Sequence, residues 1–143
     1  MISLRFRTDE PELLDGDSVS SKERLEAMRQ LPLVNRFLGG ARAVLKDLVP
    51  ITAEQSSDTR LRLLDVGSGS ADIPEAIVRW AEMAGRPIIA IALDRDTTSI
   101  ELAAERAACW IDKIHVIRGD ALRLPWPDRS FHVVTASMFC HHF

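Results

Sequence analysis

A chain of 143 residues, 46% hydrophobic and 27% charged, has the size and balance of one soluble globular domain. Its formal net charge of -3 gives no reason to expect nucleic-acid binding through bulk electrostatics, and no apolar run approaches the length that spans a bilayer. Charges at Arg5, Arg7, Asp9 and Glu10 stand where a secretory signal would need an apolar core, and Cys109 and Cys140 form no metal or redox spacing, so the expected setting is reduced and cytoplasmic.

Residues 1–59 are expected to form an N-terminal arm with helices, ahead of a second region, 60–143. Asp9, Glu10, Glu12, Asp15 and Asp17 make residues 1–19 an acidic, loosely packed arm. Ser20 and Glu23 have capping-box spacing, so a helix starts near Ser21, carries Leu25 and Met28 on one side, and ends or kinks at Pro32. Val34, Phe37, Leu38, Ala41, Val44, Leu45 and Leu48 recur at helical spacing, with Gly39-Gly40 inside the segment. Pro50 and the polar run from Thr52 to Thr59 predict a loop.

From there the pattern alternates. Leu61–Val66 reads as a strand and Ile73–Ala84 as a helix, with Pro74 tolerated in its first turn. Ile88–Leu93 is a second strand, Thr98 and Glu101 form a capping box for a helix running to about Trp110, and Ile114–Ile117 and Phe131–Ala136 are third and fourth strands. Apolar strands separated by helices imply parallel pairing and a doubly wound, Rossmann-like α/β layer in the order 3-2-1-4. In that order the fourth strand is an exposed apolar edge with no later segment to cover it, so the chain reads as an incomplete domain, or as one that self-associates or meets a partner chain through this edge.

Chemistry concentrates at the strand ends. Asp65 is followed by Gly67-Ser68-Gly69, and glycines there let the backbone turn with positive φ and approach a ligand closely. Asp94 closes the second strand and Asp120 follows the third, so three carboxylates line the rim where an open α/β sheet binds ligands. A carboxylate only accepts hydrogen bonds, which suits ribose hydroxyls at Asp94 and an adenine amine at Asp120.

In Leu64-Asp65-Val66-Gly67-Ser68-Gly69-Ser70-Ala71-Asp72-Ile73-Pro74, in Ala92-Leu93-Asp94, and in Gly119-Asp120-Ala121 with the following Leu124-Pro125, Pro127-Asp128 and Phe131 to Val134, the chain resembles the class I S-adenosylmethionine-dependent methyltransferases. The last segment is similar to the small-molecule enzymes of the ubiquinone/menaquinone-biosynthesis type. The resemblance covers residues 61–143. It implies S-adenosyl-L-methionine as cofactor and a small-molecule methyl acceptor. Gly67-Ser68-Gly69 would lie under the methionine part, with Asp65 near its amino group, Asp94 on the ribose, and Asp120 with the Ala121 N–H on adenine. Ser137 and Met138 would lie near the sulfonium and the acceptor, and His141 or His142 would serve as base if the acceptor must lose a proton. Three departures stand out: Arg95 replaces an apolar residue and could stack on adenine, Ala71 replaces a frequent glycine as a mild change, and His132 stands where Asp is common.

Plainer readings compete. Asp72 and Asp96 read better as helix-start acids than as ligands. Cys140-His141-His142 lacks a second ligand cluster for a metal, His115 inside a strand reads as structural, and Trp80, Trp110 and Trp126 read as packing, with Trp126 placed to flank adenine. Arg36 reads as a surface charge. A nicotinamide-dependent oxidoreductase would need a third glycine where Asp72 stands, and that carboxylate would repel a pyrophosphate. A truncated, non-catalytic methyltransferase-like protein is the remaining alternative.

Overall fold

The apolar strands pair in parallel because each is separated from the next by a connection long enough to return the chain to the same end. The computed structural model describes Glu26, residues 40–53 and residues 55–137. In order these form α1 (Gly40–Ala53), β1 (Leu61–Val66), α2 (Asp72–Met83), β2 (Ile88–Asp94), α3 (Thr97–Ala107), a 3-10 turn (Ala108–Trp110), β3 (Ile114–Arg118) and β4 (Val133–Thr135). The sheet order is β3-β2-β1-β4, all parallel, as the sequence implied. The expected acidic arm, the helix from Ser21, Arg36, Met138, His141 and His142 lie outside the described residues.

Strand residues alternate between two faces. Leu61 and Leu63 of β1, Ala90 and Ala92 of β2 and Ile114 of β3 are buried in one cluster with Ile73, Ile77, Val78 and Ala81 of α2 and Ala103 and Ala107 of α3. Each buried Leu, Ile or Val side chain contributes about 1.5–3 kcal/mol through removal from water, so this face holds most of the stability. Leu64, Val66 and Leu93 form a smaller cluster on the other face, against Ala121, Trp126 and Phe131.

Local chemistry sets the helix ends. Gly85, at φ 64°, terminates α2: its N–H donates to Glu82 O at 3.1 Å and the Arg86 N–H to Ala81 O at 2.8 Å, a Schellman closure. Asp96 caps α3 by accepting from the Ser99 N–H at 2.8 Å, so the cap is Asp96 rather than the expected Thr98–Glu101 box.

Two further expectations are corrected. Helix α1 runs through Pro50 to Ala53 where a loop was expected. Proline this near a helix end forfeits one hydrogen bond, and others finish the turn: the buried Thr52 hydroxyl donates to Leu48 O at 3.0 Å, and Arg86 Nη1 donates to Thr52 O at 2.7 Å. Strand β4 is Val133–Thr135 rather than Phe131–Ala136. Phe131 turns onto Trp126, edge to face at 5.2 Å between ring centroids. His132 instead pairs with Arg62 by side chain and backbone, its N–H donating to Arg62 O at 2.9 Å and its Nδ1 accepting from the Arg62 N–H at 3.0 Å.

Candidate functional site

The turn after β1 has an alternating backbone. Gly67, Gly69 and Ala71 have φ of 66°, 55° and 60°. A Cβ on Gly69 would meet nothing within 4 Å, so glycine is required there by conformation, and open space lies beside it. Ala71 carries a methyl group in the left-handed region, which costs roughly 1–2 kcal/mol relative to a right-handed backbone. The departure from glycine is therefore costlier than its chemistry suggests. The turn is anchored from β2: the Ser68 N–H donates to Leu93 O at 3.0 Å, and the Gly69 N–H to Asp94 Oδ2 at 2.8 Å.

Asp65 sits at the end of β1 and is only 2% exposed. Thr135, its register partner on β4, donates its hydroxyl to Asp65 Oδ1 at 2.6 Å. Burial pushes the carboxyl up to about 6; the Thr135 hydroxyl and the Ser68 side chain oppose that rise, while Asp72 and Asp94 add to it. Ser68 is close enough to act on the carboxylate, yet its buried Oγ has no partner within hydrogen-bonding geometry. A desolvated carboxylate beside an orphaned hydroxyl is suited to a cationic hydrogen-bond donor.

Asp94, half-buried at the end of β2, accepts from two backbone donors, Gly69 N–H on Oδ2 and Asp96 N–H at 2.9 Å on Oδ1. A carboxylate has about four acceptor positions, so about two remain. Arg95 is exposed, and its carbonyl accepts from Arg118 Nε at 3.1 Å. The Gly119 N–H donates to Asp94 O at 2.9 Å, which ties the exit of β3 to the end of β2. Asp120 is exposed and accepts from the Leu122 N–H at 2.9 Å, while Ala121 is half-buried against the Leu64 cluster. Ser137 is half-buried just past β4. The register thus gathers Asp65, Asp94, Asp120 and Ser137 along one rim of the sheet.

Other sequence readings resolve into packing. Asp72 is the first residue of α2 and Asp96 caps α3, in keeping with helix-start acids. His115 is exposed on β3 rather than enclosed by structure. Trp126 packs on Phe131, and Trp110 lies beneath the Arg79 and Lys113 cations at 5.8 and 6.0 Å.

Sequence reasoning missed Thr135 and Arg106. Arg106 of α3 donates from Nε to Ser70 O and from Nη1 to Glu75 Oε2, both at 2.8 Å, and so ties the glycine turn to α2. Burial pushes the Glu75 carboxyl up, but Arg106 and Arg79 outweigh it and hold the group below its ordinary range. An arginine in the last turn of a helix was visible as a dipole partner; its reach to the turn was not. A groove of about 370 Å³ lies away from the rim, against the first halves of β1 and β2, lined by residues including Arg60, Arg62, Ile89, Ile91, Trp126 and Phe131.

Comparison with known proteins places this geometry among relatives. A family described as "Methyltransferase domain" matches residues 63–143. A ubiquinone/menaquinone biosynthesis C-methyltransferase from Bradyrhizobium sp. is 34% identical over 99 residues, covering 67% of this chain and 38% of that protein. A demethylmenaquinone methyltransferase from Deinococcus radiodurans is 33% identical over 94 residues, covering 64% of this chain and 36% of that protein. The chain thus spans well under half the length of the curated relatives it matches. In fold it is similar to the crystal structure of a SAM-dependent methyltransferase from Aquifex aeolicus, at 18% identity and a TM-score of 0.56, over 78% of this chain and 55% of that one.

Proposed function

The chain belongs to the class I S-adenosylmethionine-dependent methyltransferase family, and from that premise we propose that its strand-end rim binds S-adenosylmethionine for methyl transfer to a small-molecule acceptor. The observation that carries this reading is the row of Asp65, Asp94 and Asp120 at the ends of three adjacent parallel strands, with the positive-φ turn at Gly67 and Gly69 beside the first two.

The residues fit the cofactor. The buried Asp65 carboxylate and the unpartnered Ser68 hydroxyl suit its ammonium group. The free acceptor positions of Asp94 suit ribose hydroxyls. Asp120 and the Ala121 N–H suit adenine, and the exposed Arg95 guanidinium can stack on the base. When bound, the cofactor supplies an electrophilic methyl group on a sulfonium. The chain's own task is to hold and align the reactants and to keep water away, and Ser137, past β4, would lie near the sulfonium and the acceptor. An acceptor hydroxyl or amine would pass its proton to His141 or His142, which follow β4 in the chain.

The relatives' names support a quinone-like acceptor as the first class to assay. Val134 of β4 is 58% exposed, and β4 pairs with β1 alone among the described residues, which supports self-association or a partner chain at that edge. No helix among the described residues is long and apolar enough to cross a membrane. Cys109 and Cys140, which form no metal or redox spacing, support a reduced setting.

Calorimetric titration of the whole chain with S-adenosylhomocysteine, alongside Asp94→Ala, tests the reading. The expected result is saturable binding that the substitution weakens tenfold or more, about 1.4 kcal/mol. A folded sample that takes up no ligand would overturn it. Binding without turnover on any acceptor assayed would favour the non-catalytic alternative.

A further inference from the structure

The carboxylate of Asp65 owes its orientation to a strand that the sequence places 70 residues away. Thr135 is the last residue of β4 and the direct register partner of Asp65 on β1. A β-branched threonine on a strand has a restricted χ1, so its hydroxyl is held in place, and at 2.6 Å it fixes Oδ1 and with it the plane of the carboxylate. A buried aspartate with a purely structural role is expected to collect several donors. Here, among the described residues, the Thr135 hydroxyl alone donates within hydrogen-bonding geometry, to a carboxylate whose desolvation outweighs everything that stabilises its charge. The charged neighbours bearing on it are Asp72 from α2 and Asp94 from β2, both negative. Ser68, 5% exposed with a buried Oγ that lacks a partner, completes the set from the glycine turn.

We propose that Thr135 is a positioning residue that aims the Asp65 carboxylate at the amino group of the cofactor, so that this ammonium is read jointly by β1, the glycine turn and β4. The inference rests on the cofactor reading above and adds a residue and a selectivity to it. The ammonium is recognised by an oriented, desolvated carboxylate, and a ligand without that group gains nothing from Thr135. Hydrogen bonds to charged groups are the stronger ones, which sets the expected effect at about tenfold or more.

The test measures binding of S-adenosylhomocysteine and of 5′-methylthioadenosine, in which a methyl replaces the aminocarboxypropyl chain, to the whole chain and to Thr135→Val and Thr135→Ser, from pH 5 to 8.5. Thr135→Val is expected to weaken S-adenosylhomocysteine about tenfold at pH 8 and to leave 5′-methylthioadenosine within about twofold. Thr135→Ser, which keeps the hydroxyl, restores most of the loss. Protonating Asp65 removes the partner of the ammonium, so wild-type affinity for S-adenosylhomocysteine falls as pH drops through about 6. Without the Thr135 hydroxyl to favour the charged form, that fall moves to higher pH in Thr135→Val. Equal weakening of both ligands, or an unmoved pH midpoint, would show a merely structural threonine and overturn the proposal. A folded wild-type chain that binds neither ligand would instead overturn the cofactor reading on which it rests.

Discussion

The two faces of the sheet are built from the same strands and differ in how they are covered. One face buries Leu61, Leu63, Ala90, Ala92 and Ile114 under α2 and α3, with α1 packed against the same cluster. The other buries Leu64, Val66 and Leu93 beneath the segment carrying Ala121, Trp126 and Phe131. Connection handedness explains the difference. The right-handed crossovers β1–α2–β2 and β2–α3–β3 proceed in one direction, so both helices fall on one face. The connection from β3 back to β4 passes β2 and β1 in the reverse direction and so crosses the other face. The reversal falls between β1 and β4, where Asp65 meets Thr135. One face supplies stability, and the point where direction changes supplies the candidate site.

The sharpest break of this comparison would come from Ile77, fully buried on the helical face. Ile77→Ala should lower unfolding free energy by about 2–5 kcal/mol in urea titrations; a loss below about 1 kcal/mol would mean that α2 does not carry the core. Asp65→Asn should act in the opposite direction. The carboxyl titrates near 6 in the folded chain against 3.8 in its unperturbed state, so its contribution to stability is fully present below 3.8 and lost as pH rises through about 6. The asparagine variant should therefore gain up to about 3 kcal/mol over wild type at pH 8 and almost nothing at pH 3.5. Denaturation at the two pH values checks this, and an equal difference at both would remove burial of the charge as its cause.

Trp126→Ala, on the less covered face, should cost about 1–2 kcal/mol by the same urea measurement, since the ring is half-buried and rests on Phe131. A cost matching that of Ile77→Ala would erase the asymmetry between the faces. The smallest effect is expected at the turn. Ala71→Gly relieves roughly 1–2 kcal/mol of left-handed strain but gives up a buried methyl worth about 0.8 kcal/mol. A net gain under about 1 kcal/mol should follow, visible as a modest rise in Tm.

Strand order, parallel pairing and the rim of Asp65, Asp94 and Asp120 were legible because each depends on local pattern: apolar runs, helical spacing and an acid at each strand's end. What was missed depends on contacts distant in sequence. Helix α1 continues through Pro50 with Arg86 reaching its Thr52 carbonyl from the turn before β2, and no local rule carries that information. Strand β4 starts late because Phe131 packs with Trp126 over the sheet face rather than pairing along its edge. Thr135 became a site residue only once β4 lay beside β1. At the α3 start two local signals compete: Asp96 reads as a helix-start acid and Thr98–Glu101 as a capping box two residues further on, and the structure uses Asp96.

Asp94 grips the amide of Gly69 with one oxygen and that of Asp96 with the other. These two amides belong to different loops, yet they share one acceptor group, so whatever draws electron density from that carboxylate is felt at both. In an NMR spectrum the two backbone resonances form a paired reporter: a ligand engaging Asp94 should shift them together, and their hydrogen-exchange rates should rise and fall in step. The fold thereby carries its own two-channel readout of occupancy at the β2 end of the rim, without any label being introduced.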